Sequence, residues 1–208
     1  MYFFDFHHHT RGKDGIYNLN YLEKDYPGTY SVGLHPKDIP VWDNDGKSWL
    51  EDYSISKNCL ALGECGLDSF VDSNLEVQEQ LFKQQIEWAN KINKPIIIHC
   101  VRMFHRMSSF KKIAKTPLII HGFNKKATIA EDLLKNGFYL SFGKALLHDV
   151  SLQQIFIAAP QNRIFLETDA AELDIRTVYE KAAELKKLNL NDLNEIIHHN
   201  LEYIQHGY

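Results

Sequence analysis

Short apolar runs recur along the chain, and turn residues or a polar side chain end each of them. Runs such as PIIIH and PLIIH are apolar at consecutive positions, which is typical of parallel strands buried on both faces. On this pattern we predict eight strands, at residues 2–7, 15–20, 29–34, 59–64, 95–99, 117–121, 138–142 and 163–168.

Between the later strands, apolar residues recur every three or four positions, which predicts amphipathic helices. One such segment places Phe82, Ile86 and Ala89 on the same face. Four helices are predicted in this way, at residues 74–92, 125–136, 176–188 and 191–206. Strands that alternate with helices predict a parallel α/β fold, and eight such strands suit a (β/α)8 TIM-type barrel.

The first third of the chain is too short to hold every outer helix of such a barrel. Only seven residues, 8–14, separate His7 from Gly15, and the connection from Asn20 to Thr29 is equally tight. Parallel neighbours normally need about a dozen connecting residues. We therefore predict one trimmed barrel domain over residues 1–208, with one or two early outer helices missing.

Composition places the chain among globular proteins, with 44% hydrophobic and 24% charged residues. No apolar run approaches the roughly 20 residues that cross a bilayer, and the start lacks the basic region of a signal peptide. The three cysteines have no metal-site spacing, which favours reduced thiols. These observations predict a cytoplasmic protein without a membrane partner, and no feature indicates an obligate protein partner.

Side chains that bind divalent metals follow the apolar runs. Ligands distant in sequence converge in barrels, because the carboxyl ends of all strands meet at one face. Alternation along a strand puts His7 and His9 on one side together with Asp5, which could accept the other ring N–H of a ligand. The full set of candidate ligands is His7, His9, Glu64, His99, His121 and Asp169.

The two carboxylates, Glu64 and Asp169, supply the charge that four neutral imidazoles lack. Two ions about 3.5–4 Å apart can activate water and clamp a displacement at phosphorus. Mixed imidazole and carboxylate ligation suits zinc or manganese better than magnesium alone. Simpler interpretations stay open for each residue alone: Glu64 could be a hydrogen-bonded carboxylate at a turn, and Asp169 an N-cap. Cys100 follows a candidate ligand but alternation turns it away.

Several segments, in order along nearly the whole chain, resemble the TatD family of metal-dependent hydrolases. They are DFHHH, VGLHP, ALGECGLD, QEQLFKQ, KPIIIHC, IIHGFNK, GFYLSFG and FLETDA. The resemblance implies a (β/α)8 barrel, two divalent ions (Zn, Mn or Mg) and hydrolysis, often of phosphodiesters in DNA by a 3′–5′ exonuclease-like reaction. By this resemblance, His7, His9 and Asp169 would bind the first ion, and His99 and His121 would bind the second. Glu64 would bridge the two ions.

The same comparison suggests catalytic and substrate-binding roles. Asp169 would take the proton of the attacking water, beside Glu64. His35 in GLHP would contact a substrate phosphate, although a turn-stabilising role before Pro36 is an alternative. Two further substrate-binding candidates are Arg102 and Asn124; the family usually places an arginine one position earlier than Arg102.

The length of the loops around the barrel mouth and the distribution of charge indicate what kind of substrate could enter. The stretch between the HxH and GxHP motifs is short, and the long loop that family members carry after LETDA is absent, which predicts a shallow, open mouth. Residues 88–130 hold nine Lys or Arg and no Asp or Glu. They form either solvated helix faces or a positive approach for an anionic substrate, such as DNA ends or a small phosphodiester.

Two other functions stay open at this stage. A hydrolase of the same fold could act on an ester, amide or lactone carbonyl. A non-catalytic protein could also have kept the metal site and lost turnover, although the presence of all six candidate ligands and the candidate base argues against it.

Overall fold

The computed structural model describes residues 2–207. Eight parallel strands form one sheet in sequence order, and His8 pairs with Asp169, so the last strand returns to the first. The predicted TIM-type barrel is confirmed. The strands are β1 Asp5–His8, β2 Gly15–Asn18, β3 Tyr30–Val32, β4 Cys59–Asp68, β5 Ile96–Val101, β6 Leu118–Ile120, β7 Tyr139–Phe142 and β8 Ile164–Leu166.

Seven α-helices and three short 3-10 helices lie between residues 2 and 207, and most of them connect consecutive strands. The α-helices are α1 Asn44–Ser54, α2 Leu75–Ile92, α3 Phe104–Lys111, α4 Ala127–Lys135, α5 Val150–Ala158, α6 Ile175–Lys186 and α7 Leu190–His206. The 3-10 helices are Pro36–Val41, Lys144–Leu147 and Gln161–Arg163. Loops without helix join β1 to β2 and β2 to β3, as the short connections predicted. No helix within the described residues is long and apolar enough to span a membrane.

The strand predicted at residues 59–64 was too short, because β4 continues to Asp68. Two glycines in this stretch lie directly against β5. A Cβ at Gly63 or Gly66 would collide with the carbonyl oxygen of Ile97 or of His99, respectively. The glycines therefore let β4 run close beside β5, and Glu64 stands inside a strand rather than at its end.

The first strand was predicted to begin at residue 2, but pairing starts at Asp5. The barrel interior and the helix layer share one continuous core. Phe6, which is fully buried, stacks on Phe165 with 4.0 Å between ring centroids. Because side chains alternate along β1, burying Phe6 on one side turns His7 to the other, where the polar side chains gather.

Candidate metal centre

The structure brings all six candidate ligands together at the carboxyl end of the barrel. Each comes from the end of a strand, from the residues just after it or, for Glu64, from the middle of a long strand. The contributing strands are β1, β4, β5, β6 and β8. Backbone pairing fixes Asp169 beside β1: its N–H donates to the carbonyl of His7 at 2.9 Å, and its carbonyl accepts from the N–H of His9 at 3.2 Å.

One carboxylate oxygen of Glu64 faces a first group of donors. Glu64 Oε2 lies 3.5 Å from Nε2 of His7 and 3.5 Å from Nε2 of His9. Asp169 Oδ1 lies 3.8 Å from the same atom of His7 and 3.3 Å from that of His9. These four atoms enclose one small space.

The other oxygen of Glu64 faces a second group. Glu64 Oε1 lies 2.7 Å from Nδ1 of His99 and 2.7 Å from Nε2 of His121, and those two nitrogens are 3.4 Å apart. Nε2 of His35 is 3.6 Å from the same oxygen. Glu64 therefore stands between two sets of nitrogen donors and turns one oxygen to each.

A buried amide positions the backbone of Glu64. Asn18, at the end of β2, accepts a hydrogen bond from the Glu64 N–H at 2.8 Å and from the Ser31 hydroxyl at 3.2 Å through the same oxygen. Asn18 was not singled out from the sequence. A single asparagine at a strand end gives no signal by itself, and only the barrel shows that β2 and β4 bring these groups together.

Asp68 is a second residue that the sequence analysis missed. Its Oδ2 lies 2.9 Å from Nε2 of His99, while its Oδ1 accepts from the N–H of Phe70 at 2.8 Å. With an ion bound, a ring proton on Nε2 shared with Asp68 would leave the Nδ1 lone pair of His99 free to hold the ion. The signal was present, since Asp68 closes the GECGLD segment.

Replacing Asp68 with asparagine is expected to weaken metal binding about 10- to 100-fold, the usual cost of losing such an orienting carboxylate. The amide still caps the turn at Phe70 but no longer carries the charge that holds the His99 ring. Competition with a chelating dye measures the affinity. The control is Asp72→Asn in the following loop, which should leave it unchanged; equal affinities for both variants would contradict an orienting role.

Glu167 supports His121 from the other side. It is fully buried, and its Oε1 accepts the N–H of Gly122 at 2.6 Å and lies 3.5 Å from Nδ1 of His121. Glu167 also stands in a quoted motif, LETD, in which only the aspartate was assigned a role. Together Asp68 and Glu167 place a carboxylate behind each of the two histidines that face Glu64 Oε1.

The role predicted for Asp5 was wrong, and one alternative considered for Asp169 is excluded. Asp5 does not face a histidine ring; its two oxygens accept the N–H and the hydroxyl of Thr168 at 2.9 and 2.6 Å, so it ties β1 to β8. The alternative of Asp169 as an N-cap also fails, because Asp174 caps α6. Asp169 instead points toward the histidines, from a backbone with a φ of 53°.

Charges in the centre are strongly coupled. Burial alone would raise the pKa of Glu64, but His121, His7 and His9 hold it well below its usual range. Burial would lower the pKa of His121, yet Glu64 and Glu167 raise it well above the ordinary histidine value. Hydrogen bonds to Asp169 and Glu64 raise the pKa of His9 to about 9. The carboxylates thus need positive charge close by.

Imidazole and carboxylate donors at both groups suit divalent metal ions, and at the first group the spacings fit an ion as well. Imidazole nitrogens and carboxylate oxygens at metal distances of about 2.0–2.2 Å lie roughly 3.4 Å from one another around a tetrahedral ion. The spacings around Glu64 Oε2, 3.3 to 3.8 Å, match this value. Both ring nitrogens of buried His7 lack a hydrogen-bond partner among the described residues. A divalent ion would replace the protons that otherwise balance the carboxylates.

The three substrate-binding candidates lie in different places. His35 has the turn-stabilising role considered for it, because its Nδ1 accepts the N–H of Lys37 at 3.0 Å and caps a 3-10 helix. Its Nε2 faces Glu64, and contact with a substrate phosphate stays a prediction. Asn124 is exposed and lines a cavity of about 230 Å³ with Asp169. Arg102 stands farther out on the rim, with its guanidinium 4.3 Å from the ring centroid of Phe70.

The cysteines take no part in the centre. All three are free and buried. Burial raises the pKa of the Cys100 thiol to about 12, so it stays protonated near neutral pH. This agrees with the sequence-based interpretation of reduced thiols that are not metal ligands.

Active sites of eight-stranded parallel barrels lie at the carboxyl face, and histidines and carboxylates gathered there can hold ions that activate water. The family model described as TatD related DNase matches residues 7–206. The chain belongs to the TatD family, and it is a metal-dependent hydrolase of that family.

Individual relatives in sequence are also described as metal-dependent hydrolases or nucleases. The uncharacterized metal-dependent hydrolase YabD of Bacillus subtilis is 28% identical over 185 residues, which cover 80% of this chain and 72% of YabD. The 3′-5′ ssDNA/RNA exonuclease TatD of Dickeya dadantii is 28% identical over 166 residues, covering 76% of this chain and 62% of the exonuclease.

Solved structures share the fold. The crystal structure of YJJV, a TatD homologue from Escherichia coli, superposes with a TM-score of 0.74 at 20% identity, over 86% of this chain and 77% of YJJV. A TatD family hydrolase from Entamoeba histolytica superposes with a TM-score of 0.72 at 16% identity, over 86% of this chain and 75% of that protein.

Proposed function

We propose that this protein hydrolyses phosphodiester bonds, at the ends of single-stranded DNA or in small phosphodiesters, with two divalent ions bound around Glu64. The observation that carries the proposal is the placement of Glu64, whose two oxygens face two separate donor groups. A carboxylate between two such groups suits a pair of ions about 3.5–4 Å apart, the spacing used in many phosphodiesterases.

In this proposal His7, His9 and Asp169 hold one ion, and His99 and His121 hold the other. When bound, the ions would lower the pKa of a water toward about 7 and polarise the phosphoryl oxygen. The mixed imidazole and carboxylate donor set suits Zn or Mn better than Mg alone.

Asp169 would accept the proton of the attacking water. Its side chain is 42% exposed, whereas Glu64 is 5% exposed, so among the carboxylates of the centre Asp169 is open to an incoming substrate. Nε2 of His9, a side chain that is 28% exposed, lies 3.3 Å from its Oδ1. Burial tends to raise the pKa of Asp169, but His9, His121 and His7 lower it overall.

An anionic substrate suits the open rim. His35 and Asn124 lie near the centre, and Arg102 lies beyond them on the rim. The printed name of the Dickeya relative, a 3′-5′ ssDNA/RNA exonuclease, agrees with this class of substrate. A cytoplasmic location, which the unpaired cysteines favour, and a single domain over residues 1–208 remain predictions.

A substrate panel tests the proposal. Metal-reconstituted protein is incubated with bis(p-nitrophenyl) phosphate, p-nitrophenyl acetate, single-stranded and duplex DNA labelled at either end, and circular single-stranded DNA. We expect hydrolysis of the phosphodiester, shortening of linear single strands from the 3′ end and no cleavage of the circle. The reaction on DNA should slow as salt rises, since phosphate contacts release counterions.

Each other outcome has a definite meaning. Faster hydrolysis of the carboxylester than of any phosphodiester would assign the centre to carbonyl chemistry. Cleavage of circular DNA would exclude an end-directed reaction. Metal binding without turnover on the whole panel would favour a binding protein that kept its site.

A further inference from the structure

A groove lies between α3 and α4, the helices that follow β5 and β6. It has a volume of about 610 Å³ and lies outside the barrel. Arg102 comes three residues after His99, and Lys125 comes four residues after His121, so the groove begins where these two candidate ligands end their strands. We call it the α3–α4 groove.

The rim of the α3–α4 groove is basic. Arg102, His105 and Lys125 line it, and within residues 2–207 neither Arg102 nor Lys125 makes an ion pair with an acidic side chain. Arg102 is held over the ring of Phe70 by a cation–π contact at 4.3 Å. Two cations without acidic partners, on opposite sides of one groove, can contact the same anion.

The start of α4 adds to this positive field. Lys126 occupies the N-cap position, and no side chain among the described residues caps the first turn. Thr128, in that turn, lines the groove and offers a hydroxyl. Free N–H groups and the positive end of the helix dipole favour a phosphate here, in addition to the two side-chain cations.

The floor of the α3–α4 groove is apolar. Phe104, at the start of α3, faces Ile129 and Leu133 of α4 across it. The acidic side chain that lines the groove, Asp132, lies about two helical turns beyond Lys125, and its oxygen accepts the amide of Asn136 at 3.2 Å. A basic rim at the mouth and an aromatic floor behind it match the two halves of a nucleotide.

From this arrangement we infer that the α3–α4 groove is a subsite for one nucleotide of a single-stranded substrate, next to the nucleotide at the metal centre. Its phosphate lies between Arg102 and Lys125, and its base packs on Phe104 and Ile129. The inference rests on the proposed function and adds to it: the enzyme should prefer strands long enough to reach the groove over a minimal dinucleotide.

Three variants test the subsite. Lys125→Gln removes one phosphate contact, Phe104→Leu removes the stacking ring but keeps an apolar side chain, and Lys135→Gln is the matched control, an exposed lysine on α4 outside the groove. Anisotropy of labelled hexathymidylate in chelator measures binding without cleavage. Initial rates of the metal-loaded enzyme on oligothymidylates of two to six nucleotides measure the length preference.

Lys125→Gln should weaken binding about tenfold at low salt and reduce the salt slope by about 0.7, the value for one contact to a single strand. Phe104→Leu should weaken binding about fivefold, since stacking on the ring is lost. Lys135→Gln should change binding by less than about twofold. In wild-type enzyme kcat/KM should rise with length, and the rise should shrink in the first two variants.

Equal losses for Lys125→Gln and Lys135→Gln would overturn the subsite, because they indicate a diffuse basic surface. A length preference that survives both groove variants would overturn it as well, while cleavage of DNA by the same enzyme would leave the proposed function standing. Absence of any phosphodiester hydrolysis by wild-type enzyme would instead remove the proposed function, and the subsite with it.

Discussion

Replacing Asp169 with asparagine is expected to lower kcat about 10²- to 10⁴-fold, the usual cost of losing a general base. The amide oxygen can still lie near His9, but it cannot take a proton near neutral pH. The fold should persist, because the bonds that join Asp169 to β1 are made by its backbone. Asparagine also tolerates the left-handed φ of 53° at this position.

The control for Asp169→Asn is Glu172→Gln, an exposed residue of the same loop. It should keep wild-type rates. Metal content measured on both proteins separates loss of the base from loss of an ion: the Asp169 variant should retain at least one ion, held by His99, His121 and Glu64. Near-normal kcat at saturating metal would show that Asp169 is not the base.

The double variant His7→Ala, His9→Ala should lose one divalent ion per chain along with turnover. Both imidazoles of the first donor group are removed, leaving Glu64 and Asp169 to face an ion alone. Metal that binds the native state raises its stability, so the melting temperature of wild-type protein should rise on loading. Much of that rise should disappear in the double variant.

A matched control replaces two exposed histidines that are not candidate ligands, His148 and His206, with alanine. It should keep full metal content and the full shift in melting temperature. His7 is buried, so a double variant that does not fold is replaced by the single variant His9→Gln at a partly exposed site. Its metal content and melting temperature are compared with those of wild-type protein in the same way. Unchanged metal content in either variant would contradict the claim that His7, His9 and Asp169 bind an ion.

The sequence was most informative where hydrophobic pattern and geometry coincide. Short apolar runs predicted all eight strands, and several of these runs were continuous because a strand buried on both faces has no polar side. Counting residues between β1 and β2 and between β2 and β3 predicted the two missing outer helices, because a crossover helix has a minimum length. The barrel then brought the six candidate ligands together, as the rule for strand ends implied.

The sequence was less informative where contacts between distant segments determine the structure. Helices α1, α3 and α5 were not predicted, and β4 was thought to end at Glu64, because its continuation depends on glycines that pack against β5. The supporting residues Asn18, Asp68 and Glu167 act through contacts between strands distant in sequence. Asp5 was placed on the correct side of β1, but only the structure shows Thr168 beside it.

The central claim is that two divalent ions around Glu64 are needed for phosphodiester hydrolysis. The most direct test is to strip the protein with a chelator, add Mn or Zn in measured steps, and follow bound metal and phosphodiesterase rate in the same samples. We predict no turnover in the stripped protein and a rate that reaches its plateau at two ions per chain. Full turnover without metal, or a plateau at one ion, would contradict the account.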